Sequence, residues 1–210
     1  MIAVIVCGGE IKSYGKYEQI FNNADFLICA DSGARHLKKL KIVPHALIGD
    51  FDSISSNDYN YYKEKDVAII KFPPNKNKTD TELAVDYAVE RDCNVIYFLG
   101  ALGLRIDHSL SNIFLLKKLI EKGIKGVILD NKNEITLIDD KIVLERENKR
   151  ITFLSLSEET RGIKSKGLLY ELNNDTLKMG NSMGVSNEFS GDIAEISIDS
   201  GLLLVIKSKD

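Results

Sequence analysis

The sequence predicts an α/β domain with a parallel sheet, followed by an all-β antiparallel, sandwich-like domain. Two patterns carry this prediction. Short apolar runs alternate with stretches of helical period at first, and from about Asn133 the apolar residues recur with period two. A chain of 210 residues with 44% hydrophobic content can bury a core in each part. We therefore expect two domains, residues 1–132 and residues 133–210.

The first domain is predicted from β-type runs separated by helical patterns. The candidate strands are Ile2–Cys7, Phe26–Ala30, Ala46–Ile48, Val67–Lys71, Asn94–Leu99 and Gly126–Leu129. Amphipathic helical spacing follows Asp80, and again follows Asp107 as far as Glu121. Strands and helices in alternation are typical of a parallel sheet with helices on its faces.

The second domain is predicted from alternating apolar residues with turn residues between them. The runs are Ile135–Leu144, Ile151–Leu156, Ala194–Ile198 and Leu202–Ile206. The pattern within 135–144 indicates a hairpin, and Asp199-Ser-Gly201 indicates a turn that joins the last two runs.

Charge and cysteine usage exclude several classes of protein. The net charge of −3 gives no general attraction to nucleic acid or to an anionic membrane surface, so we expect neither partner. The apolar start of the chain is too short to span a bilayer and lacks the features of a signal peptide, so we expect a cytoplasmic protein. Cys7, Cys29 and Cys93 show no metal-binding or disulfide spacing and are interpreted as buried thiols.

Aspartates follow several of the predicted strands, where ligands bind in open parallel sheets. They are Asp31, Asp50, Asp52, Asp80 and Asp107. Such a concentration of negative charge requires a neutralising cation, and Mg²⁺ prefers oxygen ligands and also binds phosphates. The grouping predicts a metal-nucleotide site, with Asp50-x-Asp52 as its most specific element.

Each aspartate also has a structural interpretation. Asp31 and Asp107 stand where helices begin, and Thr79-x-x-Glu82, which contains Asp80, fits a capping box, so helix capping is an alternative at each of these three places. Gly8-Gly9 permits a close approach of backbone amides to a phosphate, but glycine pairs are common in turns. Arg105 suits a phosphate contact. The sequence contains neither a P-loop motif nor GxGxxG, which argues against Walker-type ATPases and dinucleotide dehydrogenases.

Five motifs together resemble those of the thiamine pyrophosphokinase family, and they span essentially the whole chain. The motifs are Ala30-Asp-Ser-Gly-Ala34, Gly49-Asp-Phe-Asp-Ser53, Lys78-Thr-Asp-Thr-Glu82, Gly103-Leu-Arg-Ile-Asp-His108 with Asn112, and Gly180-x-Ser-x-Gly-x-Ser-Asn-Glu-Phe189. The resemblance implies transfer of a diphosphate from ATP to the hydroxyl of thiamine, with Mg²⁺ bound and AMP as the leaving product.

The resemblance also implies roles for individual residues. In the first domain, Asp50, Asp52 and Asp80 would bind the metal, and Asp31, Thr79, Arg105 and Asn112 would contact nucleotide or phosphate. Asp52, Asp80, Arg105 and Asp107 would form the catalytic group, with Asp107 near the thiamine hydroxyl. In the second domain, Ser182, Ser186 and Asn187 would bind thiamine.

The resemblance further implies a homodimer whose active sites combine the first domain of one subunit with the second domain of the other. Two departures from the family affect the pocket. Leu104 occupies a position where the family commonly has glycine, and the chain contains no tryptophan. Phe189 or a tyrosine would then supply any aromatic surface for the cationic vitamin.

Other functions remain open at the level of sequence. A pyrophosphokinase for another hydroxymethyl heterocycle, such as a pterin, would use a similar first domain, although the Ser-Asn-Glu-Phe segment argues against it. A non-catalytic nucleotide or thiamine sensor would bind without turnover, but an idle site has no use for so costly a charge cluster.

Overall fold

The structure is a computed structural model that describes residues 1–209. It divides into two compact units, the first comprising Met1–Asn131 and the second beginning at Lys132. The first unit contains a parallel sheet with helices, and the second contains antiparallel strands. The predicted fold class is therefore confirmed.

The first unit contains six parallel strands in the order β4-β3-β2-β1-β5-β6. Their bounds are β1 Ile2–Val6, β2 Phe26–Ala30, β3 Ala46–Gly49, β4 Ala68–Lys71, β5 Val95–Leu99 and β6 Lys125–Leu129. β1 to β3 are almost entirely buried, as expected of parallel strands covered on both faces, whereas β4 is partly exposed at the edge. β1 lies between β2 and β5, so the strand order reverses there.

Five α-helices connect these strands. They are α1 Glu18–Asn22, α2 Ala34–Leu40, α3 Ser56–Lys63, α4 Asp80–Val89 and α5 Ile106–Ile120. α3 was not predicted, because its tyrosine-rich and asparagine-rich sequence gives little apolar periodicity, yet Tyr62 is buried and donates to Ala34 O at 2.9 Å. Among the described residues, no helix is long and apolar enough to cross a membrane.

One hydrophobic cluster of the first unit joins its central strands to α2 and α3. Its members include Val4 and Val6 on β1, Leu47 on β3, and Leu37 and Tyr62 on the helices. Burial of these side chains fixes the helices on the sheet and thereby fixes the loops at the carboxyl ends of the strands.

The second unit contains two antiparallel sheets, one ordered β7-β13-β9 and the other β11-β10-β12-β8. The strands are β7 Asn133–Ile138, β8 Lys141–Glu145, β9 Arg150–Ser155, β10 Glu159–Lys166, β11 Asn173–Lys178, β12 Ile193–Ser197 and β13 Leu203–Ser208. A single apolar cluster draws side chains from both sheets, among them Phe153 on β9, Ile163 on β10 and Val205 on β13. This arrangement agrees with the predicted sandwich-like unit.

The two predicted hairpins of this unit are wrong in their pairing. β7 pairs with β13 and β8 pairs with β12, so the chain passes from one sheet to the other at Asp139-Asp140. The turn after Ile198 likewise joins strands of different sheets. Period-two spacing records which face of a strand is buried and carries no information about its partner. β10 and β11 were not predicted, because both strands are rich in charged and polar residues.

Candidate active site

Two glycine-containing loops meet where the strand order of the first unit reverses. Gly9, after β1, donates its amide to Gly100 O, after β5, at 2.7 Å. A Cβ at Gly9 would lie 2.4 Å from Gly100 O, so only glycine allows this approach. The amide of Gly9 is thus used within the protein and is not available to a phosphate.

The loop after β1 is also held from the side of α2. His36 is buried, and its Nε2 lies 2.7 Å from Gly9 O, so Nε2 carries the proton and donates it. Its Nδ1 then accepts from Tyr14 Oη at 2.8 Å. Burial lowers the pKa of His36 below its ordinary value. The imidazole is therefore neutral and serves to position the loop.

The loops after β2 and β3 bring three carboxylates together. Oxygens of Asp31, Asp50 and Asp52 lie within 4.8 Å of one another. Ser53 Oγ lies 2.5 Å from Asp31 Oδ2 and 2.9 Å from Asp52 Oδ1, and it links the two loops. The predicted metal ligands were Asp50, Asp52 and Asp80. The three carboxylates that converge include Asp50 and Asp52, but the third is Asp31 and not Asp80.

Both acidic loops contain a residue in the left-handed region of backbone space. Asp31 has φ 44° and Phe51 has φ 65°, which is costly for residues other than glycine. Asp31 makes no capping bond to a helix, so the capping alternative for this residue is wrong. The strained backbone instead directs its side chain toward Asp50 and Asp52, as is common at functional sites.

Lys76 lies between two of the aspartates. Its Nζ lies 2.6 Å from Asp50 Oδ2 and 3.1 Å from Asp80 Oδ1, and its side chain is only 11% exposed. The bond from Lys76 lowers the pKa of Asp50. Burial raises the pKa of Asp80 although Lys76 acts against that increase. The carboxylates of this region thus differ in how well their charge is compensated.

Two carboxylate oxygens in this region lack a hydrogen-bond donor. Within residues 1–209, Asp31 Oδ1 and Asp80 Oδ1 are buried and accept no hydrogen bond that meets the usual distance and angle limits, although Asp80 Oδ1 has an ion-pair contact with Lys76 at 3.1 Å. Gly49 allows these two side chains to approach each other, since a Cβ there would lie 3.1 Å from Asp31 Cβ and 3.3 Å from Asp80 Cγ. Unsatisfied buried oxygens in an all-oxygen donor set are suited to a hard divalent cation.

The start of α4 positions Asp80. Thr79 caps the helix, with its Oγ1 accepting from Glu82 N at 3.2 Å, so the sequence interpretation of a cap is confirmed for Thr79. Asp80 follows in the first turn. Lys78, from the same motif, extends away and pairs with Asp86 at 2.7 Å.

Arg105 and Asp107 form an exposed ion pair at the start of α5. The Arg105 guanidinium lies 2.6 Å from Asp107 Oδ2, and this bond lowers the pKa of Asp107. Asp107 makes no capping bond. Ser109 Oγ accepts from Gly103 N at 3.1 Å and contacts Arg105 O at the same distance, which shapes the loop that carries the pair.

Asn112 is buried beneath the same loop. Its side-chain amide donates to Ala101 O at 2.7 Å. This bond ties the loop after β5 to α5. A nucleotide contact by Asn112 remains a prediction, and the observed contact is a positioning one.

In the predicted thiamine-binding segment, residues 180–189, one of the three predicted contact side chains is hydrogen-bonded within the protein and the other two are exposed to solvent. Asn187 is buried, and its Oδ1 accepts from Tyr170 N at 3.0 Å and Glu188 N at 2.9 Å, while Nδ2 donates to Tyr170 O at 2.7 Å. Ser182 and Ser186 are exposed. Asn187 thus braces the segment, and the serine hydroxyls remain free to meet a ligand.

The aromatic side chains of this segment differ in availability. Phe189 is 9% exposed and belongs to the core of the second unit, whereas Tyr170 is 67% exposed. Because Asn187 holds the backbone of Tyr170 on both sides, this tyrosine is presented from a fixed position. The sequence predicts Phe189 or a tyrosine as the aromatic surface for thiamine. Of Phe189 and Tyr170, it is Tyr170 whose ring is exposed.

The sequence interpretation missed Lys76 and gave no role to Ser53. Lys76 could have been found from its position four residues before Asp80, because the two side chains form an ion pair across that spacing. Ser53 belongs to a quoted motif, but its link between Asp31 and Asp52 depends on two loops that are distant in sequence.

Sequence models of both domains of one family match this chain. The thiamin pyrophosphokinase catalytic domain matches residues 17–128, and the thiamin pyrophosphokinase vitamin B1 binding domain matches residues 138–203. The two matches fall within the first and the second unit respectively.

Individual relatives agree with these matches. Thiamine pyrophosphokinase of Bacillus subtilis is 33% identical over 209 residues, 98% of each chain. Its crystal structure covers 100% of both chains with a TM-score of 0.90 at 30% identity. Yeast thiamin pyrophosphokinase, at 20% identity and a TM-score of 0.84 over 99% of this chain and 86% of its own, shares the fold. The chain therefore belongs to the thiamin pyrophosphokinase family.

Proposed function

We propose that this protein transfers the diphosphate group of ATP to the hydroxyl of thiamine, giving thiamine diphosphate and AMP. The thiamine hydroxyl oxygen forms a bond to the β-phosphorus, and the bond from that phosphorus to the oxygen of AMP breaks. The observation that carries the proposal is the convergence of Asp31, Asp50 and Asp52 beside buried, unsatisfied carboxylate oxygens. The activity named for the Bacillus subtilis relative supports it.

We assign a Mg²⁺ site to Asp50, Asp52 and Asp80, and the geometry favours adding Asp31. All four offer oxygen atoms, which suits this ion. When bound, Mg²⁺ offsets the negative charge of the polyphosphate. The protein's part is to hold the carboxylates in a fixed arrangement, which Ser53 and the strained backbone at Asp31 support.

On the nucleotide side we assign phosphate or nucleotide contacts to Asp31, Thr79, Arg105 and Asn112. Arg105 supplies a planar group that can grip two phosphate oxygens. Its exposed pairing with Asp107 leaves the guanidinium accessible. Positioning and charge compensation supply most of the catalysis in phosphoryl transfer. Asp52, Asp80, Arg105 and Asp107 therefore form the proposed catalytic group.

Asp107 is our candidate for the contact to the thiamine hydroxyl. Its lowered pKa, caused first by the bond from Arg105, keeps the carboxylate ionised and able to accept a hydrogen bond. The same bond makes Asp107 a weak base, so it can accept the hydroxyl proton only late, as the new bond to phosphorus makes that hydroxyl strongly acidic.

On the vitamin side we assign thiamine contacts to Ser182, Ser186 and Asn187. The exposed hydroxyls suit hydrogen bonds to an aminopyrimidine. Asn187 contributes by bracing the segment, and the exposed ring of Tyr170 beside it offers a surface for a cationic heterocycle.

We further propose a homodimer in which the first unit of one subunit meets the second unit of its partner. An exposed apolar stripe on α5 supports it, with Ile106, Leu110 and Phe114 spaced four residues apart. The second unit also exposes large apolar side chains near its candidate segment, including Met183 and Val185. A cytoplasmic location is supported by three buried cysteines that are all free.

Product identification tests the reaction. The protein is mixed with thiamine, ATP and Mg²⁺, and the products are separated by chromatography and identified by mass spectrometry. AMP with thiamine diphosphate is the expected result. ADP with thiamine monophosphate, or tight binding of thiamine without any product, would contradict the proposal.

Complementation tests the intersubunit site. Asp52→Asn is mixed with the double variant Ser182→Ala, Ser186→Gly after reversible dissociation, and light scattering confirms the dimer. The assay uses thiamine far below its KM, where the double variant is only weakly active. If each site combines two subunits, the heterodimer regains one intact site and the mixture recovers about a quarter of the wild-type activity. Activity no greater than the average of the two separate variants would place each site within one subunit.

A further inference from the structure

Lys76 holds an unusual place among the carboxylates of the first unit. Its ammonium lies 2.6 Å from Asp50 Oδ2 and 3.1 Å from Asp80 Oδ1. Both Lys76 and Asp50 have side chains that are only 11% exposed. A pair so shielded from solvent is screened less than an ordinary surface ion pair.

The surrounding charge gives this contact a specific consequence. Asp31, Asp50 and Asp52 have oxygens within 4.8 Å of one another, and Asp80 approaches Asp31 across Gly49. Among residues 1–209, the ammonium of Lys76 is the one cationic group that lies within 4.0 Å of a carboxylate oxygen of Asp50 or Asp80. Without compensation, clustered carboxylates repel one another and favour conformations in which they separate.

We propose that Lys76 is an internal counter-ion that holds Asp50 and Asp80 together until a divalent cation binds, and that competes with this cation for the same carboxylate oxygens. An oxygen that accepts a bond from the ammonium is less available to a metal, and two cations in one small site repel each other. Lys76 therefore stabilises the cation-free site and weakens divalent cation binding when no nucleotide is present. The proposal rests on the metal assignment of the proposed function.

The test compares Lys76→Met with Lys78→Met. Methionine keeps much of the length of lysine without its charge, and Lys78 is a matched control two residues away that pairs with Asp86, outside the acidic group. Mn²⁺ binding is measured by electron paramagnetic resonance without thiamine or nucleotide. We expect Lys76→Met to bind Mn²⁺ about three- to tenfold more tightly than wild type, and Lys78→Met to bind it as wild type does.

Thermal unfolding supplies a second readout. Without divalent cation, Lys76→Met should melt at a lower temperature than wild type, and Mg²⁺ should raise its melting temperature more than it raises that of wild type. Unchanged or weaker Mn²⁺ binding by Lys76→Met would overturn the proposal. Absence of Mn²⁺ binding by both proteins would overturn it as well.

A measurement on the wild-type protein avoids dependence on the folding of a variant. With lysine labelled by ¹³C at Cε, the Lys76 resonance is assigned with Lys76→Arg, which retains the charge. Addition of Mg²⁺ should shift this resonance and leave that of Lys78 in place; an unmoved Lys76 signal would refute the competition. Product formation is measured separately, so failure here leaves the proposed reaction untouched.

Discussion

The candidate binding residues of the two units differ in whether their buried polar atoms form hydrogen bonds. In the first unit, Asp31 Oδ1 and Asp80 Oδ1 are buried without a hydrogen-bond donor, and Asp31 has a left-handed backbone. In the second unit, the buried amide of Asn187 makes three hydrogen bonds to the backbone of its own unit. The first arrangement costs stability unless a ligand compensates it, whereas the second adds stability.

This difference indicates which property of a ligand each unit recognises. A group of carboxylates whose charge Lys76 compensates only in part recognises charge and accepts a cation through electrostatics. A segment whose backbone is braced from within recognises shape, and its exposed side chains, among them Ser182, Ser186 and Tyr170, face outward. Substitutions of the aspartates in this group should therefore impair turnover without unfolding the protein, whereas substitution of Asn187 should lower the stability of the second unit.

The largest effect is expected for Asp52→Asn in the first unit. The substitution removes a charge at the carboxylate group, which relieves repulsion, and leaves core packing intact, so kcat should fall about 10²- to 10³-fold while the melting temperature stays at or above that of wild type. AMP release at saturating Mg²⁺ and thermal unfolding measure the two quantities. Asp66→Asn, an exposed carboxylate of the same unit, is the control. Full activity of Asp52→Asn would refute the metal assignment.

A smaller effect, on stability, is expected for Asn187→Ala in the second unit. Loss of the three part-buried bonds to the backbone of Tyr170 and Glu188 should lower the free energy of unfolding by about 2–3 kcal/mol. Urea unfolding followed by circular dichroism measures it. Asn181→Ala, at an exposed position of the same segment, should change little. Equal stability of the two variants would show that the bracing is unimportant.

Ser186→Gly separates binding from stability within the second unit. Ser186 has φ 61°, which glycine adopts without steric cost, so stability should be retained while the hydroxyl is lost. If that hydroxyl contacts thiamine, KM for thiamine should rise about fivefold, equivalent to about 1 kcal/mol. Asn174→Gly, at another exposed left-handed position, is the control. A KM unchanged in both variants would exclude the contact.

The smallest expected effect is a pH dependence in the first unit. Burial lowers the pKa of His36 in the folded state, so the unfolded state binds protons more readily. Stability is fully present above the unfolded pKa of about 6.5 and declines as pH falls through that value toward the folded pKa. His36→Gln should reduce the loss of stability between about pH 7.5 and 5.5. If His36→Gln loses as much stability as wild type over this pH range, His36 is not the source of the pH dependence. His108→Gln, which changes an exposed histidine, is the control.

Sequence patterns predicted the elements whose cause is local. Buried parallel strands such as β1 and β2 are continuous apolar runs, and Thr79 caps α4 three residues before Glu82, as its spacing indicates. The family resemblance is confirmed as well. The motifs that carried it lie in loops and in the first turns of helices, where binding residues are concentrated.

Long-range contacts could not be predicted in this way. The pairing of β7 with β13 joins segments at opposite ends of the second unit, and period-two spacing is compatible with several partners. The position of Lys76 between Asp50 and Asp80, and the link from Ser53 to Asp31, likewise depend on how separate loops converge. Each requires the tertiary fold to be known.

The passage of the chain between the two sheets at Asp139-Asp140 has a consequence for the order of folding. β7 is synthesised early in the second unit, but its partner β13 emerges last, with Asn133 aligned to Ser208. β13 also pairs with β9, so it lies between β7 and β9. Neither β7 nor β9 can complete its pairing on a ribosome until β13 is available. We expect this unit to fold late and in one cooperative step, slowly for its size because its contacts are distant in sequence.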